Sequence, residues 1–252
     1  RVRTAELEKM FDLEDTYWWF VARRRLARDV LMRYGPKRGR GQAGSPLRIL
    51  DVGCGTGATL RVLSEFGTVV GIDSSQDALR FSRRRGEFGL VQARGEALPA
   101  QSESVDVITA LDLLEHIPDD AAAVAEMARV LRPGGILLVM VPALPFLWSE
   151  HDEALDHLRR YRARQLREIL EGAGLKVERL SPLITLLLAP IGALRLLQRI
   201  LRRKNAHPET AFIVPPAPVN VLLTWLLWLE SRWAVRWNLP VGVSLMGVAR
   251  KG

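Results

Sequence analysis

A chain of 252 residues, 48% hydrophobic and 25% charged, is long enough to bury a full core as one domain and has the balance of a globular protein. A formal charge of +8 favours an anionic partner such as nucleic acid, a phosphorylated substrate or a membrane surface, against the plainer reading of an arginine-rich composition. The single cysteine, Cys54, excludes an intrachain disulfide and a cysteine metal cluster, and suits a reducing, cytoplasmic setting. The opening Arg1-Val2-Arg3-Thr4 does not read as a secretory leader, and the missing initiator Met suggests that residues precede Arg1.

Residues 4–34 have helix-compatible spacing through Leu7, Met10, Phe11, Leu13, Leu26, Val30 and Leu31. Between them, Tyr17-Trp18-Trp19-Phe20 stands beside Arg23 and Arg24, a group fit for a lid over a ligand or for anchoring a helix in the core. Residues 35–46 read as a polar linker. Ile49 to Val52 then predicts a strand buried on both faces, running into Gly53-Cys54-Gly55-Thr56-Gly57 and a helix from about Ala58 to Glu65. Glycines there permit positive φ and let a ligand approach the backbone. Sixteen residues after Gly57, Val69 to Asp73 predicts a second strand ending in a carboxylate, where a nucleotide ribose is commonly held.

Ser74 or Ser75 caps a helix to about Arg84. Strands follow at Leu90–Ala93 and Val105–Ala110, then a helix from Pro118-Asp119-Asp120 to Leu131. Pro133-Gly134-Gly135 turns the chain into a fifth strand, Ile136–Val141. A polar loop, Leu147–Tyr161, contains His151 and His157. A helix at Arg164–Glu171 and a strand at Leu175–Leu180 come next. Two apolar stretches, Pro182–Leu201 and Val219–Trp237, are too short or too interrupted by arginine to span a bilayer, and the first ends in Arg202-Arg203-Lys204. A membrane surface, a lid on the core or a dimer interface would each bury their leucines and tryptophans. The last strand is Val243–Ala249.

Gly53-x-Gly55-x-x-Ala58 also fits a dinucleotide fingerprint, which keeps an NAD(P)-dependent oxidoreductase open. Taken together, Asp51-x-Gly53-x-Gly55-x-Gly57, Asp73 and Leu131-Arg132-Pro133-Gly134-Gly135 resemble the class I S-adenosylmethionine-dependent methyltransferases over roughly residues 46–180. The resemblance implies a three-layer α/β sandwich with a mostly parallel, seven-stranded sheet. Within one domain it implies a helical cap (1–45), a cofactor core (46–181), an apolar helical insertion (182–240) and a last strand (241–252). It also implies that S-adenosylmethionine gives its methyl group to a small-molecule, sugar- or lipid-linked acceptor, at oxygen by preference, and leaves as S-adenosylhomocysteine. A protein that binds the cofactor without catalysis is the remaining alternative.

Cofactor candidates are Asp51, Gly53, Cys54, Gly55, Gly57, Asp73, Ser74, Gly95, Glu96, Leu111 and Asp112. Arg94 stands where the family usually carries an Asp for the adenine amino group, so Glu96 or backbone groups would replace that contact. The aromatic-Arg-Arg group and the His151-Asp152…His157-x-Arg159-Arg160-Tyr161 loop resemble a bacterial subfamily associated with sugar or envelope-lipid metabolism. Trp19, Arg23, Arg24, His151, Asp152, Arg159, Arg160 and Tyr161 are thus acceptor-binding candidates. His116, His151 and His157 are candidate bases, a histidine being suited to proton removal near neutrality. Asp112-x-x-Glu115-His116 resembles the metal element of ubiquinone-pathway O-methyltransferases and could gather Mg, whereas the plainer reading is a cleft-edge turn without metal. Expected partners are the acceptor rather than nucleic acid, with attachment to the inner face of the membrane or a homodimer through the insertion as further possibilities.

Overall fold

The structure, a computed structural model, describes residues 4–36, 46–200 and 214–252. Most of the expected linker, and all of Arg202-Arg203-Lys204, lie outside the described residues. Seven strands build one sheet: β1 (Leu47–Val52), β2 (Gly67–Asp73), β3 (Gly89–Gln92), β4 (Val105–Leu111), β5 (Leu131–Pro142), β6 (Leu175–Leu183) and β7 (Ser244–Lys251). Their order is β3-β2-β1-β4-β5-β7-β6. Strands β1 to β5 pair in parallel, and β7 lies antiparallel between β5 and β6. The order reverses between β1 and β4, and a crevice opens beyond the carboxyl ends of strands at such a switch point.

The helices cover both faces. On one side α5 (Asp120–Val130) and, beyond the short α6 (Glu150–Ala154), α7 (Ala163–Gly172) send Val124, Met127, Leu166 and Leu170 against Leu50, Val52, Leu137 and Val139. On the other, α2 (Trp18–Tyr34) and α9 (Ala217–Ala234) pack Leu26, Val30 and Leu227 against Leu138, Met140 and Val248. The short α3 (Leu60–Leu63) and α4 (Gln76–Arg83) complete that layer with Leu60, Leu63 and Leu79 over Ile49 and Val107. Alternate residues of β5 thus feed opposite layers, which explains its unbroken apolar run. Fully burying one such side chain contributes about 1.5–3 kcal/mol.

The structure departs from the expectations in three places and divides the aromatic group between core and cavity. The N-terminal helical region divides into α1 (Thr4–Leu13) and α2 at the turn carrying Glu14 and Asp15. In the aromatic group Tyr17 and Trp18 enter the core, while Trp19 and Phe20 line a cavity. Only Leu60–Leu63 of the expected helix after Gly57 is helical, and Thr59 before it makes no side-chain cap. Strand β5 begins at Leu131, because this buried residue pairs with Val105 across an irregularity that absorbs Pro133-Gly134-Gly135.

Between β6 and β7 the chain forms α8 (Leu188–Ile200) and α9. The buried Glu230 side chain on α9 accepts from the backbone N–H groups of Ile184 and Leu186, tying the helix to the end of β6. Asn220 bridges to α2 by accepting from Trp18 N (3.0 Å) and donating to Thr16 O (2.8 Å). Val221, Leu222, Trp225, Trp233 and Trp237 remain exposed on the outer side. Among the described residues no helix is long and apolar enough to cross a membrane.

Candidate cofactor and acceptor cleft

The glycine turn is braced by backbone and side-chain hydrogen bonds. The N–H groups of Gly53 and Cys54 both donate to Ile72 O, joining the turn to β2. Asp73 at the end of β2 accepts from Gly55 N (3.0 Å) and Ser75 N (2.7 Å). A carboxylate offers about four lone-pair sites, so acceptor capacity remains for a ligand. Ser75 also caps α4 by accepting from Ala78 N. Gly53 and Gly55 have φ of +75° and +54°. A Cβ at Gly53 would strike Leu113 (2.7 Å), but at Gly55 it would meet nothing within 4 Å among the described residues, leaving that backbone open to a ligand. Gly57 has a different purpose: its missing Cβ makes room for Ser82 of α4.

Beyond this turn lies a cavity of about 670 Å³. Its floor includes Asp51, Gly53, Cys54, Gly55, Asp73 and Ser74, with Leu111 and Asp112 from the end of β4. Burial pushes the Asp51 carboxyl up to about 7, against a 2.6 Å hydrogen bond from Thr109 Oγ1 that favours its charged form. Burial likewise raises Asp73, opposed by the N–H groups of Ser75 and Gly55. The Cys54 thiol is raised by burial and by Asp51 and Asp73, so it stays protonated and unreactive.

Gly95 and Glu96 correct the sequence reading. Neither lines the cavity. Gly95 packs towards Ile117, and Glu96 accepts a 2.8 Å hydrogen bond from Arg94 Nη2. Arg94 itself points outward, with a side chain 71% exposed.

The opposite wall comes from distant segments. Trp19, Arg23 and Arg24 of α2 line the cavity, as do His116, His151, His157, Arg160 and Arg195 of α8. Arg23 stacks on Trp19 (4.9 Å) and donates to Asp112 (2.7 Å) and Ser244 (3.0 Å), while its Nε and Nη1 are buried without a hydrogen-bond partner among the described residues. Three acceptor candidates, Asp152, Arg159 and Tyr161, do not line the cavity but hold its wall. Asp152 accepts from Arg160 through both oxygens (2.8 and 3.1 Å) and from the Ser149 backbone. Burial opposes its charge, but His157 and Arg160 hold Asp152 below the ordinary carboxylate range. The buried Tyr161 hydroxyl donates to Asp120 (2.7 Å), and Arg159 pairs with the same carboxylate (2.8 Å), fixing the loop to α5.

All three candidate histidines line the cavity. Burial lowers His116 to about 4, helped by His157, and lowers His151 to about 4, helped by Arg195. His157 lies 3.0 Å from Asp152 through Nδ1. Its Nε2 lies 4.0 Å from Glu115, whose fully buried carboxyl is raised well above its usual range by burial and then by Asp112. The proposed Asp112, Glu115 and His116 grouping is also corrected. Asp112, at φ +53°, commits its carboxylate to Arg23, and the cluster that forms is Glu115, His116 and His157.

Sequence reasoning did not single out Glu14, Thr56 and Arg85. The Glu14 carboxylate accepts from Thr56 Oγ1 and from Arg85 (3.0 Å), and Arg85 donates to Thr56 O (2.9 Å). The turn after α1 is thereby latched onto the glycine turn. Their separations of 42 and 71 residues carry no sequence signal. Arg195 was passed over as an interruption of an apolar run, yet it reaches the cavity and donates to Leu147 O.

The reversed sheet order and the antiparallel β7 between β5 and β6 give the Rossmann-like methyltransferase fold. Residues 50–139 match the family model described as a methyltransferase domain. A Mycolicibacterium smegmatis protein named "Probable S-adenosylmethionine-dependent methyltransferase" is 34% identical over 134 residues, 52% of this chain and 52% of that one. The ubiquinone biosynthesis O-methyltransferase of Thiobacillus denitrificans is 32% identical over 155 residues, 53% of this chain and 66% of that one. The chain therefore spans about half to two thirds of the length of these curated relatives. In fold, a Thermotoga maritima S-adenosylmethionine-dependent methyltransferase superposes with a TM-score of 0.61 at 18% identity, over 98% of this chain and 95% of that one.

Proposed function

We propose that this chain binds S-adenosylmethionine on the floor of the cleft and transfers its methyl group to a small-molecule acceptor held by the opposite wall. The observation that carries this reading is the opening at Gly55 beside Asp73, continuous with a cavity large enough for two ligands. Asp73 takes the ribose hydroxyls, and a cationic cofactor beside Asp51 favours the charged form of a carboxyl that the ligand-free fold holds largely neutral. In the reaction the acceptor's lone pair attacks the methyl carbon as the carbon–sulfur bond breaks. The bonding pair stays on sulfur, and the acceptor's proton leaves towards the polar wall. In-line placement and exclusion of water supply much of the acceleration. An NAD(P)-dependent oxidoreductase is disfavoured by the antiparallel β7 inserted between β5 and β6, because the dinucleotide fold extends a parallel sheet there. Mass spectrometry with methyl-labelled S-adenosylmethionine and fractionated cell extracts tests the reading. A labelled product is expected, and turnover of the cofactor only by hydrolysis would overturn it.

The acceptor class is narrower under this proposal: an oxygen nucleophile on a lipid-linked or otherwise apolar molecule met at an anionic membrane surface. Exposed Trp225, Trp233 and Trp237 stand with Leu222, Arg232 and Arg236 on the outer side of α9 and just beyond it, a composition suited to the headgroup region. Flotation with anionic and neutral liposomes at low salt tests this. Flotation with the anionic vesicles is expected, whereas a protein that stays at the bottom and sediments as a dimer assigns the face to self-association.

A further inference from the structure

We propose that Glu115, His116 and His157 form a binding site for a divalent transition-metal ion. Each offers one ligand atom, and the three atoms lie within 4.8 Å of one another at the wall of the cavity. The site differs from the one suggested by spacing along the chain, since Asp112 is held by Arg23 and the third ligand comes from a loop 41 residues beyond His116.

Three observations support an ion at this place. First, Glu115 is 0% exposed, and among the described residues neither of its carboxylate oxygens has a hydrogen-bond partner. A buried carboxylate without partners is costly, and a cation against both oxygens removes that cost. Second, the histidines are oriented as ligands. The Nδ1 of His157 faces Asp152 at 3.0 Å, leaving Nε2 towards Glu115. The His116 ring has a backbone hydrogen-bond partner at Asp156 and stands edge-on to His157, with centroids 4.8 Å apart. Ligating histidines characteristically give their other ring nitrogen to a carboxylate or a carbonyl in this way. Third, the supporting layer is rigid. Asp152 is buried and clamped by Arg160 and the Ser149 cap, and Leu158 N donates to Glu115 O (2.7 Å), tying the loop to the turn that carries Glu115 and His116.

The donor set selects the ion. Two imidazole nitrogens and one carboxylate suit Zn, Fe, Mn or Co, whereas Mg prefers oxygen ligands. Tetrahedral binding brings ligand atoms to roughly 3.4 Å apart, so small ring rotations would draw the three inward by about 1 Å. All three residues line the cavity, so an ion held by them would stand at its wall.

Metal binding is measured without cofactor or acceptor, so its failure leaves the methyl-transfer reading standing. Full-length protein stripped with EDTA is titrated with Co²⁺ and followed by its visible d–d absorption. One equivalent is expected, displaced by Zn²⁺ and not by Mg²⁺. Glu115→Gln and His157→Asn should each weaken Co²⁺ about tenfold or more, whereas His151→Asn should bind as the wild type. Co²⁺ should raise the thermal midpoint of the wild type and leave that of Glu115→Gln unchanged, with apo midpoints showing that each variant is folded. Absence of d–d bands, unchanged affinity in the two ligand variants, or infrared bands showing that Glu115 stays protonated with Zn²⁺ present would overturn the site.

Discussion

The two walls of the cleft are built by different means. The floor is made of strand ends and one turn, and its ligand-facing groups are fixed largely by backbone hydrogen bonds between neighbours in the sheet, such as Gly53 N and Cys54 N to Ile72 O. The opposite wall is held by side chains from α2, the turn after β4, the 150s loop and α8, knitted by ion pairs such as the buried Arg160 with Asp152 and the half-buried Arg23 with Asp112. A floor fixed by backbone tolerates many side chains while keeping its geometry. A wall fixed by ion pairs has specificity but depends on each partner. Loss of one side chain should therefore damage stability on the ion-paired wall and ligand binding on the floor.

The largest expected effect tests the wall. Asp152→Ala leaves the Arg160 guanidinium buried and uncompensated, which costs about 3–5 kcal/mol. Urea denaturation should show this loss, and a midpoint close to wild type would mean that the wall does not rest on the pair.

Next comes a floor substitution with the opposite sign. Asp51 has a folded-state pKa raised from 3.8 to about 7, so the fold favours its protonated form. That contribution is complete below about pH 4 and is lost as pH rises through 7. Asp51→Asn keeps an acceptor for Thr109 and removes the buried charge. Its thermal midpoint should exceed that of the ligand-free wild type by an amount that grows from pH 5 to pH 8, on the order of 2–4 kcal/mol at the upper end. The same variant should bind the cationic cofactor more weakly. Equal midpoints across this range would show that Asp51 is not held neutral.

A smaller effect is expected at Gly55. Its φ of +54° costs an alanine about 1–2 kcal/mol, with no clash in the protein itself. Gly55→Ala should therefore fold with a slightly lower midpoint yet lose cofactor affinity, as measured by calorimetry. The smallest effect is expected at Arg94→Ala. The lost partner, Glu96, is outside the cavity and the pair is largely exposed, so stability should change by less than about 0.5 kcal/mol and cofactor affinity by less than about twofold.

The same difference in construction decided what could be read from the chain. The floor was legible because a strand, a glycine turn and a strand-end carboxylate are local patterns, and Asp51, Gly55, Asp73 and Ser74 fall where spacing put them. Gly57 and Gly95 were legible as glycines but not in their use, since spacing does not reveal that Ser82 or Ile117 sits against the missing Cβ. Glu96 lies outside the cavity, with its carboxylate paired to Arg94. On the acceptor wall, residue types announced polar chemistry at His151 and His157. Their partners lie far along the chain, and Asp152, Arg159 and Tyr161 turned out to support the wall rather than face the cavity. The Glu14 and Arg85 latch left no trace in periodicity or spacing.

The central claim is that the Asp73 floor holds S-adenosylmethionine, and isothermal titration of wild type and Asp73→Ala with S-adenosylmethionine and NADH tests it most directly. Losing a charge-assisted hydrogen bond costs about 1.5–3 kcal/mol. The account predicts one S-adenosylmethionine bound per chain, an affinity reduced more than about tenfold in Asp73→Ala, and no heat from NADH. Unchanged affinity in the variant, or saturable binding of NADH in place of S-adenosylmethionine, would contradict it.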